Sequence, residues 1–177
     1  MKSIFLLAAG LLIQFGCSHS QKTESTANQT ANARNSMAMA DLDSKSNSKA
    51  KGHVHFTQSQ EGLLVEYKVE GLAKNKKHGF HIHEKGDCSS KDAKSAGPHY
   101  MPIAETGGTA KDSPKKHAGD LPMISSNNEG VAEGRFMVTT VTLDAENPVR
   151  GRAIIVHGGP DNPRKNSPPR IACGVIH

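Results

Sequence analysis

The chain has 177 residues, of which 35% are hydrophobic and 22% charged, a size and composition typical of one soluble domain. It has no Trp and only two Tyr, so a core must be built from aliphatic side chains and five Phe. The net charge of +5 is mild, and no run of Lys and Arg is interleaved with aromatic residues, which argues against nucleic acid as a partner. Ten His stand out in this composition and require an explanation.

The N-terminus, MKSIFLLAAGLLIQFGC, has one Lys followed by an apolar run from Ile4 to Ile13. This run is too short to span a bilayer, so residues 1–17 are predicted to be a signal peptide. Gly16 before Cys17 resembles the lipobox of bacterial lipoproteins, in which the Cys is acylated. We expect an exported protein, in the periplasm or anchored to the outer membrane through Cys17. The alternative is that Cys17 is removed with the signal.

Residues 18–35 are rich in Ser, Thr, Asn, Gln and Ala and contain no larger apolar residue. Such a segment cannot bury enough apolar surface to fold, so it is predicted to be a disordered tether. The folded domain is predicted to cover residues 36–177.

The three cysteines are Cys17, Cys88 and Cys173. If Cys17 carries lipid, the other two remain as a pair, and the oxidising compartment of an exported protein favours a disulfide between them. Two buried thiols are the alternative.

Short apolar or alternating segments follow one another along the domain, separated by turn signals such as QEG and NNEG. They predict strands at 52–58, 63–72, 78–84, 131–138, 151–157 and 170–176. No segment has a sustained helical period, so the prediction is an all-β sandwich or barrel. Two long irregular segments, 85–119 and 158–169, are interpreted as functional loops, because loops of that length are uncommon in a compact domain otherwise.

Histidines are concentrated where these loops begin and end. His81 and His83 are two residues apart on a predicted strand, so their side chains point to the same face and can chelate one ion. His157 ends another predicted strand at the start of the second loop. His53 and His55 have the same spacing, but no further histidine follows nearby, so we interpret them as a solvent-facing pair on an outer strand.

Five motifs, HGFHIHEKGDC, SAGPHY, HAGDL, GRAIIVHGGPD and RIACGVI, resemble in this order the copper/zinc superoxide dismutase family, over roughly residues 36–177. The resemblance implies an eight-stranded antiparallel Greek-key barrel, also describable as a flattened sandwich. It further implies an oxidoreductase that dismutates superoxide to oxygen and hydrogen peroxide and protects the cell envelope. The exported type found in bacteria is the member that we expect.

The resemblance also assigns roles to individual residues. It implies four copper ligands, His81, His83, His99 and His157. Four imidazoles suit Cu(II) while tolerating Cu(I), as a metal that changes oxidation state requires. His99 is expected to bridge copper and zinc and to take up a proton when copper is reduced. Arg170 is expected to attract and orient the superoxide anion.

Three further expectations come from the same resemblance. Cys88 and Cys173 match the family's disulfide, which would hold Arg170 in position by tying the first loop to the last strand. Asp161 matches an aspartate that hydrogen-bonds a copper ligand. His78 matches a structural position, so we interpret it as a packed core histidine.

The chain departs from the family at the zinc site. Three of the four zinc ligands have counterparts here, namely His99, His117 and Asp120. Gly107 stands where the fourth, a histidine, is expected, and no histidine occurs between positions 99 and 117. Either Glu105 or Asp112 replaces the lost imidazole, or a water completes a weaker site, or the protein carries copper alone.

The leading hypothesis is a copper-dependent superoxide dismutase. The main alternative is a periplasmic copper carrier or buffer that uses the same histidines without turnover. Arg170 favours the enzyme, because a carrier has no need of an anion guide beside its metal. No apolar patch in the sequence points to an oligomeric state.

Overall fold

The computed structural model describes residues 36–101, 117–162 and 167–177. The predicted signal peptide, Cys17 and the predicted tether lie outside these ranges. Within the described ranges, no helix is both long enough and apolar enough to cross a membrane.

β-strands dominate the described residues, which confirms the all-β prediction. The strands are β1 (Met37–Ser44), β2 (Lys51–Ser59), β3 (Gly62–Glu70), β4 (Lys77–His78), β5 (Phe80–His83), β6 (Ile124–Ser125), β7 (Ala132–Val138), β8 (Ala153–His157) and β9 (Arg170–Val175). The first long loop is not wholly irregular, because it contains a one-turn 3-10 helix, Lys94–Ala96.

Seven strands form one curled antiparallel sheet in the order β5-β8-β9-β1-β2-β3-β7, and β4 pairs separately with β6. The two ends of this order face each other across the core. Phe80 of β5 lies 5.7 Å from Tyr67 of β3 and 6.4 Å from Phe136 of β7, measured between ring centroids. The curl therefore surrounds one core, as a barrel requires, although the described strands divide as seven and two instead of eight.

Side chains along each strand alternate between this core and the outer face of the barrel. On β2, Val54 and Phe56 are fully buried, and on β5, Phe80 and Ile82 are fully buried in the same cluster. Each such side chain stabilises the fold by about 1.5–3 kcal/mol relative to its exposed state. Because side chains alternate, β5 must present His81 and His83 on the outer face of the barrel.

The strand predicted at 78–84 is interrupted at Gly79, where the chain passes from one sheet to the other. The Gly79 N–H donates to the Gly159 carbonyl at 2.9 Å, and its carbonyl accepts from the His157 N–H at 2.8 Å. A Cβ here would lie 2.3 Å from a carboxylate oxygen of Asp161. Any larger residue at this position would require the side chain of Asp161 to move.

Residues Met37–Ser44 form a strand, β1, that the sequence pattern did not identify. Its buried residues are Ala38, Ala40 and Leu42, whereas Met37 is 53% exposed. The inward face is thus built mostly from alanine, whose weak hydrophobicity hides the alternation.

His53 and His55 face solvent, as predicted, because they alternate with the buried Val54 and Phe56. Their strand, β2, has neighbours on both sides, β1 and β3, and is not an edge of the sheet. The description of β2 as an outer strand was therefore wrong, since its histidines reach solvent through the outer face of the sheet and not through a free edge.

Candidate metal centre

Four histidines converge on the outer face of the barrel beneath the two long loops. His81 and His83 come from β5, His157 ends β8, and His99 lies in the first loop. One ligand nitrogen from each lies within 4.8 Å of the others, and all except His99 are buried. The ring centroids of these four histidines are 4.0 to 6.5 Å apart.

The free edge of β5 holds two separate parts of the first long loop against the cluster, one at His99 and one at the end of the loop. His99 forms a backbone bridge with His83, and Asp120 forms one with His81. Ile82, between His81 and His83, accepts a backbone hydrogen bond of 2.8 Å from Tyr100 and donates one of 2.9 Å to Gly119. The backbone of one strand thereby positions both of these parts of the loop.

In each of the three buried histidines of the cluster, one ring nitrogen is already engaged. The bonds are His83 Nδ1 to the Gly97 carbonyl at 2.9 Å, His157 Nδ1 to the Pro168 carbonyl at 2.9 Å, and His81 Nε2 to Asp161 Oδ2 at 3.0 Å. Because the partners are acceptors, these nitrogens carry the hydrogens, which fixes the tautomer and orients the ring.

The second nitrogen of each of these rings is buried and has no hydrogen-bond partner. These atoms are His81 Nδ1, His83 Nε2 and His157 Nε2. A buried polar atom without a partner costs about 1–3 kcal/mol. Three unpaired lone pairs that converge on one point fit a metal ion with imidazole ligands, and copper suits such a donor set.

Burial keeps these imidazoles in the form that a metal requires. Burial lowers the pKa of His83 to about 3 and that of His157 to about 4, and it also lowers the pKa of His81. The positive charge of Arg170 acts in the same direction on His83 and His157. The three rings are neutral at pH 7, so their lone pairs are available without the loss of a proton.

Arg170 begins β9 directly opposite His157 of β8. Its two terminal nitrogens donate to the Ala93 and Gly97 carbonyls of the first loop, both at 2.8 Å. The Gly97 carbonyl also accepts from His83. The guanidinium is therefore fixed in place one carbonyl away from the histidine cluster, in a partly buried position.

Cys88 and Cys173 form the predicted disulfide and are not two separate thiols, with their Cα atoms 5.8 Å apart. The bond joins the first loop to β9. Ala93 and Ala96 of that loop pack with Cys173 in a second, small apolar cluster. The loop whose carbonyls hold Arg170 is thus fastened covalently and by packing.

A second group of ligand atoms within 4.8 Å of one another comes from His99, His117 and Asp120. Asp120 accepts from His99 Nδ1 at 2.8 Å, from His117 Nδ1 at 3.1 Å and from the His117 backbone N–H at 2.9 Å. Burial alone raises the pKa of Asp120, but these hydrogen bonds and the imidazole charges hold that pKa well below its usual value. His99 belongs to both groups and links them.

The question of a fourth zinc ligand falls on residues outside the described ranges. Gly107, Glu105 and Asp112 all belong to the segment 102–116. The replacement of the missing histidine therefore stays a prediction.

Two other expectations concern residues around the cluster. Asp161 contacts His81, as the resemblance implied, although its side chain is 40% exposed. His78 is fully buried, and its Nδ1 donates to the His157 carbonyl at 2.9 Å. This bond supports its interpretation as a packed histidine beneath the cluster.

Sequence reasoning missed the backbone groups that complete the site. The carbonyls of Ala93, Gly97 and Pro168 orient two histidines and the arginine. A side-chain motif carries no information about carbonyl direction. The Gly-Pro pair in SAGPHY, which marks a turn just before His99, is the one local signal that could have indicated them.

Fold and site together define a class of protein, a β-barrel with a four-histidine metal centre on its outer face and an arginine beside it. Comparisons with known proteins agree with that class. Residues 50–176 match the family described as copper/zinc superoxide dismutase. Proteins named Cu-Zn superoxide dismutase from Yarrowia lipolytica and Saccharomyces cerevisiae are 37% and 35% identical to it, each over 75% of this chain and 92% of the relative. The chain belongs to the copper/zinc superoxide dismutase family.

Proposed function

We propose that this protein dismutates superoxide to oxygen and hydrogen peroxide, with copper held by His81, His83, His99 and His157. The observation that carries the proposal is the convergence of unpaired buried nitrogens with Arg170 one carbonyl away. Membership of the family and the names of the relatives support the same activity. When bound, copper supplies the one-electron redox couple that dismutation requires.

The residues around the cluster have separate tasks in this proposal. His81, His83 and His157 keep their direction because their second nitrogens are bonded to a carboxylate or a carbonyl. Rings fixed in this way can serve two oxidation states without a rearrangement of the loops. Arg170 attracts the anion and orients it at the cluster.

Dismutation consumes two protons for each peroxide, so the site needs a group that can deliver one. His99 Nδ1 donates to Asp120. We propose that its Nε2 holds a proton whenever that atom is not a ligand to copper, and that the proton is released to the reduced oxygen. The bond to Asp120, or a zinc ion held by the same two side chains, would keep the orientation of the ring while the other nitrogen exchanges that proton.

Replacement of Arg170 tests whether the site is built for turnover. Arg170→Ala should lower kcat/KM for superoxide by about ten- to a hundredfold, because local positive potential accelerates the capture of small anions by such factors. Arg170→Lys should retain part of the rate and show the salt dependence of a point charge. Copper content should stay the same in both variants. The measurement is superoxide decay at several ionic strengths.

A matched control is Lys91→Ala, which removes one positive charge from an exposed position in the same loop. That change should leave the rate within about twofold, since exposed charges are screened by salt. Full copper content with no turnover in the unchanged protein would instead favour the copper carrier. Equal rates for Arg170→Ala and the unchanged protein would contradict the role of Arg170.

We propose that zinc is bound by His99, His117 and Asp120, with a carboxylate from residues 102–116 or a water as the fourth ligand. Three donor atoms lie within 4.8 Å, and Asp120 is held in its charged form, which zinc requires. Elemental analysis of protein isolated without added metal should give near-equal copper and zinc. Asp120→Asn should lose zinc and keep copper. One copper with negligible zinc in the unchanged protein would establish the copper-only alternative.

We also propose that the protein is the exported type found in bacteria, in the periplasm or attached to the outer membrane through Cys17. The apolar run at residues 4–13, Gly16 before Cys17 and the Cys88–Cys173 disulfide support this location. Expression of the full chain in a bacterium should place it in the membrane fraction if Cys17 is acylated, with Cys17→Ser releasing it, or in the soluble periplasmic fraction if Cys17 is removed with the signal. A reduced, cytosolic product would contradict the proposal.

A further inference from the structure

The fold carries a second pair of histidines with the same spacing as the pair at the metal centre. His53 and His55 lie on the outer face of β2, and their ring centroids are 5.2 Å apart. The corresponding separation for His81 and His83 is 6.5 Å. The two rings on β2 are therefore closer together than the two rings on β5.

The surroundings of the two pairs differ. The pair on β5 is buried beneath the long loops, whereas His55 is exposed and His53 is partly exposed. Both line an open cleft of about 450 Å³ on the outer face of the sheet. An ion can reach this cleft from solvent without any movement of a loop.

A carboxylate is available beside the pair. Glu66 of β3 lies directly opposite His55 and lines the same cleft. Residues directly opposite each other in an antiparallel pair have Cβ atoms about 5 Å apart. The three side chains do not form one of the groups whose ligand atoms all lie within 4.8 Å of one another, so Glu66 would reach a shared ion by a change of rotamer. Within the described part of the chain, the side chains of the two histidines and of Glu66 form no hydrogen bond and no ion pair.

The basic residues on this face leave room for a cation. Lys68 lies opposite His53, but its ammonium is directed to Glu133, with which it forms an ion pair of 3.8 Å. Arg135 lies opposite Glu66 and is exposed. Two imidazoles and a carboxylate form a donor set that suits copper(II) and zinc(II), with copper(II) bound more tightly.

We propose that His53 and His55, with Glu66 as third ligand, form an accessory site for a divalent transition metal, which copper(II) fills most tightly. This site lies outside the two metal groups described above and uses none of their residues. It does not depend on dismutation, so a failure of that activity leaves it standing.

The test is a titration of copper(II) into the full chain after loading with copper and zinc. Electron paramagnetic resonance should reveal a second copper signal with nitrogen and oxygen ligands, and calorimetry should give one further equivalent. His53→Asn or His55→Asn should each weaken this binding by about tenfold or more, because the second imidazole acts at a high effective concentration. Absence of a further equivalent would overturn the proposal.

A matched variant keeps both imidazoles and changes only their spacing. His55→Thr combined with Thr57→His places the two rings four residues apart, roughly 13 Å along the strand. That distance is too great for one ion, whose bonds to imidazole nitrogen are about 2 Å long. The extra binding should be lost in this variant, and its survival would show that the ion lies elsewhere, for example at His177.

The role of Glu66 as third ligand is tested by a comparison of two variants. Glu66→Gln and Asp41→Asn each remove one negative charge next to the pair, because Asp41 lies opposite His53 on β1. Glu66→Gln should weaken the second copper by more than Asp41→Asn and should change the resonance spectrum. Equal effects from the two changes would overturn the assignment of Glu66 as a ligand.

Discussion

Replacement of His83 by asparagine should reduce superoxide dismutation to the level of the metal-free protein. His83 contributes one of the three cluster nitrogens that are buried and lack a partner, and an amide cannot supply that lone pair. Loss of an outer hydrogen-bond partner alone lowers metal affinity or activity by about 10–100-fold, so loss of a direct ligand should exceed that range. The measurements are copper content and the rate of superoxide consumption.

His177→Asn is the matched control for this change. His177 is exposed and belongs to neither group of candidate ligands within the described residues. This variant should keep full copper content and full activity. A His83→Asn protein that holds one copper and retains activity would contradict the assignment of the four-histidine cluster.

Removal of the disulfide should produce the largest change in stability. The bond closes a loop with a sequence separation of 85 residues. The chain-entropy estimate for a loop of this length is about 4–5 kcal/mol of unfolding free energy. The protein with Cys88→Ser and Cys173→Ser should therefore unfold at much lower denaturant concentration, which urea titration followed by circular dichroism measures.

The same variant should also lose activity while it is still folded. The first loop holds Arg170 through the Ala93 and Gly97 carbonyls, and without the disulfide these acceptors are no longer fixed. Dithiothreitol should reproduce both effects in the unchanged protein and leave the double variant unaltered. A loss of stability below about 1 kcal/mol would contradict the entropic account.

Much of the barrel could be predicted because apolar and polar residues alternate strongly along its strands. Val54 and Phe56 of β2 are large and buried, and their neighbours are polar, so the period of two is visible in the sequence. β1 was missed because Ala38 and Ala40 give little contrast. The interruption at Gly79 could not be foreseen, since its backbone hydrogen bonds are made with Gly159 and His157, which are distant in sequence.

The candidate site could be predicted from side chains but not from the backbone that orients them. The spacing of His81 and His83 alone predicts that both side chains lie on one face of a strand. The assignment of His99 and His157 as ligands follows from the family motifs. The shared Gly97 carbonyl, which joins His83 to Arg170, depends on the path of a loop. Such a contact is set by tertiary packing and by the disulfide, and no local pattern encodes it.

The spacing of two histidines alone does not distinguish a buried metal centre from an exposed pair. His53 and His55 have the same pattern as His81 and His83. The difference arises because long loops cover β5 and bring further histidines to it, while the outer face of β2 stays open. The sequence distinguished the two pairs by the residues that accompany them, and the geometry agrees.

The central claim is that copper at the four-histidine cluster makes this protein a superoxide dismutase. The most direct test is a titration of the metal-free protein with copper in which superoxide decay is measured after each addition. Activity should rise in proportion to copper and reach its limit at one copper per chain, and it should not rise in the His83→Asn protein. A fully copper-loaded protein that does not accelerate superoxide decay would contradict the account.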